Sequence, residues 1–319
     1  MSIPCVSVGI VTWNADALLA RCIASVRAQT HPAIQLHVWD NASGTEERAV
    51  LENTTAPDER TWSAHNLGFA GGHNRLIAAS HGAYYLCLNP DAVLAPDYVS
   101  VLVAALEATP SVGSATGRLL RLDTPDVLDS TGIVMTRDQR HLDRGGDEVA
   151  VGRYVAGPED IFGPSGAAAL YRRAMLDDVA IEGEYFDEDF FAYREDADLA
   201  WRARVQGWTS FYVPAAVAHH RRRVTPARRR ALPAEVNRYS VRNRFLLRLK
   251  NQSPREAVTF LWPTLVRDLQ VIGYVLLREH ASVPGLLDVV RLAPRMWRKR
   301  RVIQRRRRTR PADIARWFR

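Results

Sequence analysis

With 319 residues, 47% of them hydrophobic, the chain can build one large domain with a real core and a smaller appendage. The formal net charge of +8 hides an asymmetry: residues 221–319 carry 27 Lys+Arg against 6 Asp+Glu, and residues 1–220 carry 16 against 29. An acidic body argues against a nucleic-acid clamp and suits a divalent cation, a basic tail suits a phosphate-rich partner, and Cys5, Cys22 and Cys87 lack the paired spacing of a zinc or disulfide framework.

The start, Met-Ser-Ile-Pro-Cys-Val, has no basic n-region, and Asn14 and Asp16 break the apolar run behind it, so a signal peptide is not expected and a reduced, cytoplasmic setting is. Val6–Thr12 is a β-rich run, followed by a helical pattern on Leu18, Leu19, Cys22, Ile23 and Val26. A second strand is predicted over Ile34–Trp39, ending at Asp40. Trp62 falls in a weak third. A glycine turn precedes a helix over Gly72–Ser80, Tyr84–Leu88 is a fourth strand ending at Asn89-Pro90-Asp91, and Pro96–Thr109 is another helix. Strands alternating with helices predict βαβ units and a mostly parallel sheet. Ligands of such sheets sit outside the carboxyl ends of the strands, so Asn14, Asp40 and Asp91, each just past a strand end, would line one crevice.

Residues 111–165 read as irregular. Phe162–Tyr171 reads as a tight turn feeding a small-residue strand, with a basic pair, Arg172-Arg173, behind it that either touches phosphates or lies on the surface. Tyr185–Arg202 then crowds Asp187, Glu188, Asp189, Glu195, Asp196 and Asp198 among aromatic residues. A carboxylate held beside apolar rings is desolvated and can act as a base, which makes this stretch the expected active-site floor. The plainer alternative is a helix start, with Leu199, Ala200 and Ala203 facing a core and Gly207 closing the helix. Thr209–Val213 is a last strand, ended by Pro214, with His219 and His220 beyond it.

From about residue 232 the character changes. Asn237–Lys250 is helical and basic, and Val258–Leu277 is apolar but broken by Arg267-Asp268, too broken to span a membrane. Residues 291–310 hold eleven Lys+Arg and no acid, with Trp297 and Ile303 interleaved. A basic helix carrying apolar residues predicts contact with an anionic membrane surface, the alternatives being a solvated tail or an RNA-binding one.

Val11-Thr-Trp-Asn14, Val38-Trp-Asp-Asn-Ala-Ser43, His65-Asn-Leu-Gly-Phe-Ala-Gly-Gly-His-Asn74, Leu88-Asn-Pro-Asp91 and Tyr193-Arg-Glu-Asp-Ala-Asp-Leu199 occur in this order, with His220 after the last strand. In this register the chain resembles family 2 glycosyltransferases, in their rhamnosyltransferase-like branch, over about residues 5–250. The resemblance implies an α/β GT-A fold with a catalytic domain at 1–230 (nucleotide-sugar part about 1–120, acceptor part about 121–230) and a helical, membrane-associating region at 231–319. It implies that Asp40 reads the base of a nucleotide-sugar donor beside Thr12 and Asn14, with Asn66, Gly68, Gly71 and Gly72 at a helix start near the nucleotide. Asn89 and Asp91 stand where the family has Asp-x-Asp, so Mg²⁺ or Mn²⁺ would rest on Asp91 and on His220, with His219 a competitor. Asp196 would be the base, and Glu195 and Asp198 would orient it, its neighbours or the acceptor. The reaction implied is an inverting transfer, with L-rhamnose from dTDP-rhamnose as donor, to a lipid-linked or polymeric cell-envelope glycan at the inner face of the plasma membrane. A UDP-sugar donor is the first alternative. A sugar-1-phosphate nucleotidyltransferase fits less well, because Thr12-Trp13-Asn14 stands where that class needs a glycine-rich basic loop, and a non-catalytic membrane or RNA scaffold is a third reading.

Overall fold

β-branched runs separated by helical periodicities give the order β1 (Val6–Thr12), α1 (Leu18–Arg27), β2 (Ile34–Asp40), α2 (Thr45–Thr54), β3 (Arg60–Trp62), α3 (Gly68–Ala79), β4 (Tyr84–Leu88), β5 (Ala92–Leu94), α4 (Tyr98–Glu107) and β6 (Val112–Arg121). Then follow β7 (Leu128–Ser130), β8 (Ile133–Met135), β9 (His141–Asp143), β10 (Glu159–Asp160), β11 (Ala168–Arg172), α5 (Arg173–Val179), α6 (Glu195–Val205) and β12 (Thr209–His220). The C-terminal part is helical: α7 (Ala234–Asn251), α8 (Pro254–Thr259), α9 (Leu261–Leu277), α10 (Val283–Arg305) and α11 (Pro311–Ala315). The computed structural model describes residues 3–15, 17–222 and 233–319; Asp16, Arg223 and the expected boundary at 230–231 lie outside them.

The main sheet runs β10-β12-β6-β11-β4-β1-β2-β3. β3, β2, β1 and β4 are parallel neighbours, β11 is antiparallel to both β4 and β6, and β12 is parallel to β6. The amino end of the inverted β11 therefore reaches the edge where β1, β2, β4 and β12 end. One face is packed by α1 and α4 through Leu19, Cys22, Ile23, Leu102 and Leu106. The other is packed by α3, α5 and α6 through Leu76, Ile77, Met175 and Leu199. A third core joins Phe162 and Trp201 to Leu246, Met296, Ile303 and Phe318, so the C-terminal helices are built onto α6.

Three local expectations change. Pro214 does not end the last strand: β12 continues to His220 through a register shift between Val213 and Val217, a bulge that absorbs a residue without an N–H. Gly117 makes room for it, since a Cβ there would stand 2.1 Å from the Ala216 carbonyl oxygen. The helix expected over Gly72–Ser80 begins at Gly68. The stretch read as irregular contains β6, whose Gly113, Ser114, Thr116 and Gly117 lack the alternation that marks a strand.

The charge asymmetry is resolved inside the molecule. Lys299 Nζ lies 3.0 Å from Glu184, 2.6 Å from Asp187 and 3.1 Å from Asp189. Arg295 pairs with Glu184 and Asp189, Arg298 with Glu182, and Arg308 with Asp178. Four of the eleven basic residues of the stretch 291–310, expected to face lipid, are thus bound to acids of the body.

Candidate active site

β1 and β2 end in register at Thr12 and Asp40. Both are buried, and both are engaged in the turns that follow. Both Asp40 carboxylate oxygens accept the Ser43 N–H, at 3.3 and 3.2 Å, and Arg48 Nε stands 3.9 Å away. The Thr12 hydroxyl donates to Glu47, whose other oxygen accepts the Ala15 N–H, and burial raises the Glu47 pKa. Asn14 sits at φ 46 and its Oδ1 accepts the Gly44 N–H at 3.0 Å. Asn66 Oδ1 accepts the Gly68 N–H at 2.8 Å, and the Ala70 N–H goes to the Phe191 carbonyl. The start of α3 is therefore partly capped by protein. Added Cβ atoms on Gly68, Gly71 and Gly72 would stand 2.4 Å from Phe191 O, 2.8 Å from Leu67 Cβ and 2.7 Å from Val11 Cγ1, so these glycines admit protein neighbours in the structure. Two residues that sequence reasoning passed over stand exposed here: Trp13 past β1 and Trp62 at the end of β3. Indoles at strand ends were the signal.

β5 pairs with β12 so that Ala92 faces His220, which brings Asn89-Pro90-Asp91 beside the histidine. His220 Nε2 lies 3.3 Å from Asp91 Oδ1 and 3.3 Å from the Asn89 amide nitrogen, while Nδ1 is 2.8 Å from Asp129 Oδ2. Burial by itself lowers the His220 pKa, but Asp129 and Asp91 carry it up to about 9. Asp129 is held below the usual carboxylate range, against the effect of its burial, by His220 and Arg222. A carboxylate behind an imidazole that faces a second carboxylate is the support pattern of a metal-binding histidine. The donor set fits a hard cation that completes its shell from a ligand's oxygens. Among the described residues no group of three or more His, Cys, Asp or Glu forms a complete cage. His219, the competitor, points elsewhere in the alternation of β12, pairing with Val93. Nothing in the local sequence marked Asp129.

Glu195 and Asp196 open α6, and the backbone before them is strained: Phe191, Tyr193 and Arg194 have φ of 63, 71 and 73°. Asn243 on α7 holds that loop, its amide donating toward the Phe190, Ala192 and Tyr193 carbonyls at 2.9, 2.8 and 2.8 Å. Asp196 Oδ2 accepts the Gly166 N–H at 3.1 Å and Oδ1 accepts the Ala197 N–H at 2.7 Å. The neighbouring Ala167 carbonyl accepts the Asn89 N–H at 2.9 Å, so residues 166–167 tie Asp196 to the Asn89–Asp91 corner. His141 on β9 brings Nε2 to 3.7 Å from Asp196 Oδ1, and burial lowers its pKa. Glu195 is buried and pushed well above the carboxylate range, by desolvation first and then by Asp196 and Asp198.

Asp198 is not part of this group. Fully buried, it accepts from Arg202 Nε at 2.9 Å, Lys250 Nζ at 2.7 Å and Asn251 Nδ2 at 2.7 Å. The helix-start reading of this stretch therefore holds alongside the active-site one: Asp187, Asp189 and Asp198 anchor the C-terminal helices, Glu188 pairs with Arg75, and Glu195 and Asp196 are left at the edge. Arg172 and Arg173 lie at the opposite end of β11, donating to the Leu106, Val112, Ile77 and Ser80 carbonyls, and so do not reach this edge. A surface pocket lined by Val26, His31, His37 and His81 contains none of the residues above.

Asn243 and the His141–Asp196 contact left no motif in the sequence, because each is a pairing of distant segments. Asn243→Ala is expected to lower stability by about 2 kcal/mol, since the Ala192 and Tyr193 carbonyls lose their donor while that of Phe190 keeps Arg242. It should also reduce turnover more than donor affinity; unchanged denaturation and unchanged kcat would remove the clamp role.

The model of glycosyltransferase like family 2 matches residues 4–242. The chain is 30% identical over 241 residues to the Mycobacterium tuberculosis N-acetylglucosaminyl-diphospho-decaprenol L-rhamnosyltransferase, across 66% of this chain and 74% of that protein. It is 26% identical over 228 residues to a Bradyrhizobium diazoefficiens N-acetylglucosaminyltransferase, across 68% of this chain and 44% of the relative. Among solved structures, S. aureus TarS 1–349 in complex with UDP-GlcNAc aligns with a TM-score of 0.58 at 15% identity, over 94% of this chain and 90% of that one. The mannosyltransferase PcManGT from Pyrobaculum calidifontis, in complex with GDP-Man and Mn²⁺, gives 0.56 at 17% identity, over 96% and 86%. At these identities the structures speak for the GT-A fold, and the sequence matches for the family. The chain belongs to family 2 of the glycosyltransferases, and it is a glycosyltransferase.

Proposed function

We propose that the protein transfers L-rhamnose from dTDP-rhamnose to a hydroxyl of a lipid-linked or polymeric glycan, with inversion at the anomeric carbon. The observation that carries the reaction type is the join through residues 166–167: it sets a carboxylate at a helix start, Asp196, next to the Asn89–Asp91 corner that would face a donor diphosphate. The similarity to a rhamnosyltransferase supports the sugar. The acceptor hydroxyl loses its proton to Asp196 as its oxygen bonds to the anomeric carbon. The bond from that carbon to the diphosphate breaks, and its electron pair leaves with the nucleoside diphosphate. Asp91 and His220 would hold a divalent cation, Mg²⁺ or Mn²⁺, with Asp129 fixing the imidazole. Bound there, the cation would supply positive charge to the leaving diphosphate. Asp40, Thr12 and Asn14 stand on the nucleotide side, with Trp13 available for stacking on the base.

A donor panel tests this. Purified protein with Mg²⁺ or Mn²⁺, a polyprenyl-diphosphate glycan acceptor and dTDP-, UDP- or GDP-sugars should release nucleoside diphosphate from dTDP-rhamnose alone. Release from a UDP-sugar instead would keep the mechanism and replace the donor. Asp91→Asn is expected to reduce release by about a hundredfold at fixed metal, with part recovered at high Mn²⁺; wild-type rates in that variant would remove Asp91 from the cation site.

A further inference from the structure

Helix α9 is attached the wrong way round for a helix in water. Of its residues only Val275 is buried. Trp262, Leu265, Val266, Leu269, Leu276 and Leu277 are 73, 42, 52, 62, 51 and 75% exposed. At 3.6 residues per turn these six share an arc of about 120°, and neither charged residue of the helix falls within it. Asp268 serves the other side: it accepts from Arg244 at 3.3 Å and from Arg248 at 2.6 Å, fastening α9 to α7. A surface helix ordinarily buries its apolar stripe on the core and turns its charges outward. Here Asp268 faces the protein and the stripe faces out, over a length of about 25 Å.

The next helix carries a second exposed face that helps to select the occupant. On α10, Leu287, Val290 and Trp297 are exposed at 66, 73 and 48%. Exposed arginines at 291, 301 and 305 share that helix. A second copy of the chain would bring one strongly basic region against another. An anionic bilayer offers acyl chains to the leucines, an interface to the indoles and opposite charge to the arginines. Among the described residues no helix is long and apolar enough to cross a membrane, which leaves the in-plane arrangement.

We propose that α9 is an in-plane membrane anchor, its apolar face seated at the headgroup–acyl boundary of an anionic bilayer and the exposed arginines of α10 on the headgroups. The anchor therefore differs from the basic stretch 291–310 as a whole, in which Arg295, Arg298, Lys299 and Arg308 pair with the body. It deepens the membrane-face reading of the proposed reaction, yet its test does not depend on donor or acceptor.

The full chain is floated with vesicles of equimolar phosphatidylglycerol and phosphatidylcholine, and with phosphatidylcholine alone. Wild type should float with the anionic vesicles. Leu265→Glu/Leu269→Glu should lower the bound fraction about tenfold or more. Since both side chains are exposed, this variant should keep the wild-type denaturation midpoint and its nucleotide release in detergent; loss of vesicle binding with release intact separates the anchor from the reaction. Arg301→Glu/Arg305→Glu should weaken binding to the anionic vesicles and make the remainder insensitive to salt. A second readout uses the conservative Trp262→Phe: quenching of tryptophan fluorescence by brominated acyl chains should fall relative to wild type. The proposal is overturned if wild type does not float, if the glutamate pair floats like wild type, or if quenching is the same in Trp262→Phe. Loss of a concentration-dependent dimer in the glutamate pair, with vesicle binding unchanged, would assign the face to a second copy and overturn it equally.

Discussion

Asp196→Asn is expected to lower turnover by about a thousandfold while changing dTDP-rhamnose affinity by less than about threefold. Asparagine keeps the shape, and with its single acceptor oxygen turned to the Gly166 N–H it gives up only the Ala197 contact, so the loop joining it to Asn89 should hold. What disappears is a carboxylate able to take the acceptor's proton. Glu195→Gln is the control. Burial and its acidic neighbours push Glu195 well above the carboxylate range, which favours its protonated form, and glutamine copies that form. Its loss should stay under about tenfold. Single-turnover rates and calorimetric titration with the donor separate the two effects. Near-normal turnover in Asp196→Asn, or a deeper loss in Glu195→Gln, would sink the assignment of the base.

Lys250→Met should be the most destabilising single change in the C-terminal region, by about 3–5 kcal/mol at neutral pH. Lys250 Nζ stands 2.7 Å from Asp187 and 2.7 Å from Asp198, with all three side chains no more than 1% exposed. Methionine fills the space but leaves two buried carboxylates short of a cation. Burial opposes ionisation of both acids. Lys250 and Lys299 for Asp187, and Lys250 and Arg202 for Asp198, overcome it and hold both below the usual carboxylate range. A depressed folded pKa gives stability that is fully present above the unfolded value, about 3.9, and is lost as pH falls through the folded one. Wild type should therefore lose stability on acidification below about pH 4, while the variant, with one cation left per acid (Lys299 for Asp187, Arg202 for Asp198), should lose less. Urea denaturation at pH 7 and at about pH 3 should show the gap between them closing. A gap under about 1 kcal/mol at pH 7, or one that widens in acid, would show that the cluster is not what fastens α7 to the body.

Local chemistry was readable along the chain wherever a residue's role depends on its own segment. Val6–Thr12, Ile34–Asp40 and Tyr84–Leu88 form the strands their patterns predict, and the polar residues just past them meet at one sheet edge because parallel strands end together. The family register of Asn14, Asp40, Asp91, Asp196 and His220 was equally legible, because each sits at a fixed offset from a strand or helix end. The length of β6 and the passage of β12 through Pro214 were not legible. Small residues carry no alternation, and a bulge is a property of two strands rather than one.

The meaning of charge was decided only by the tertiary structure. In sequence, Asp187, Asp189 and Asp198 look the same as Glu195 and Asp196, and the arginines and lysines after residue 290 read as one basic tail. Folding assigns the first three acids to Lys250 and Lys299, leaves the other two at the sheet edge, and moves the outward apolar surface to α9. A buried carboxylate takes its character from the cation packed against it, and here those cations come from positions fifty to more than a hundred residues further along the chain. Motif resemblance pointed to the family and the strand ends to the edge and the candidate acids; long-range pairing decided which acids have a buried cation against them.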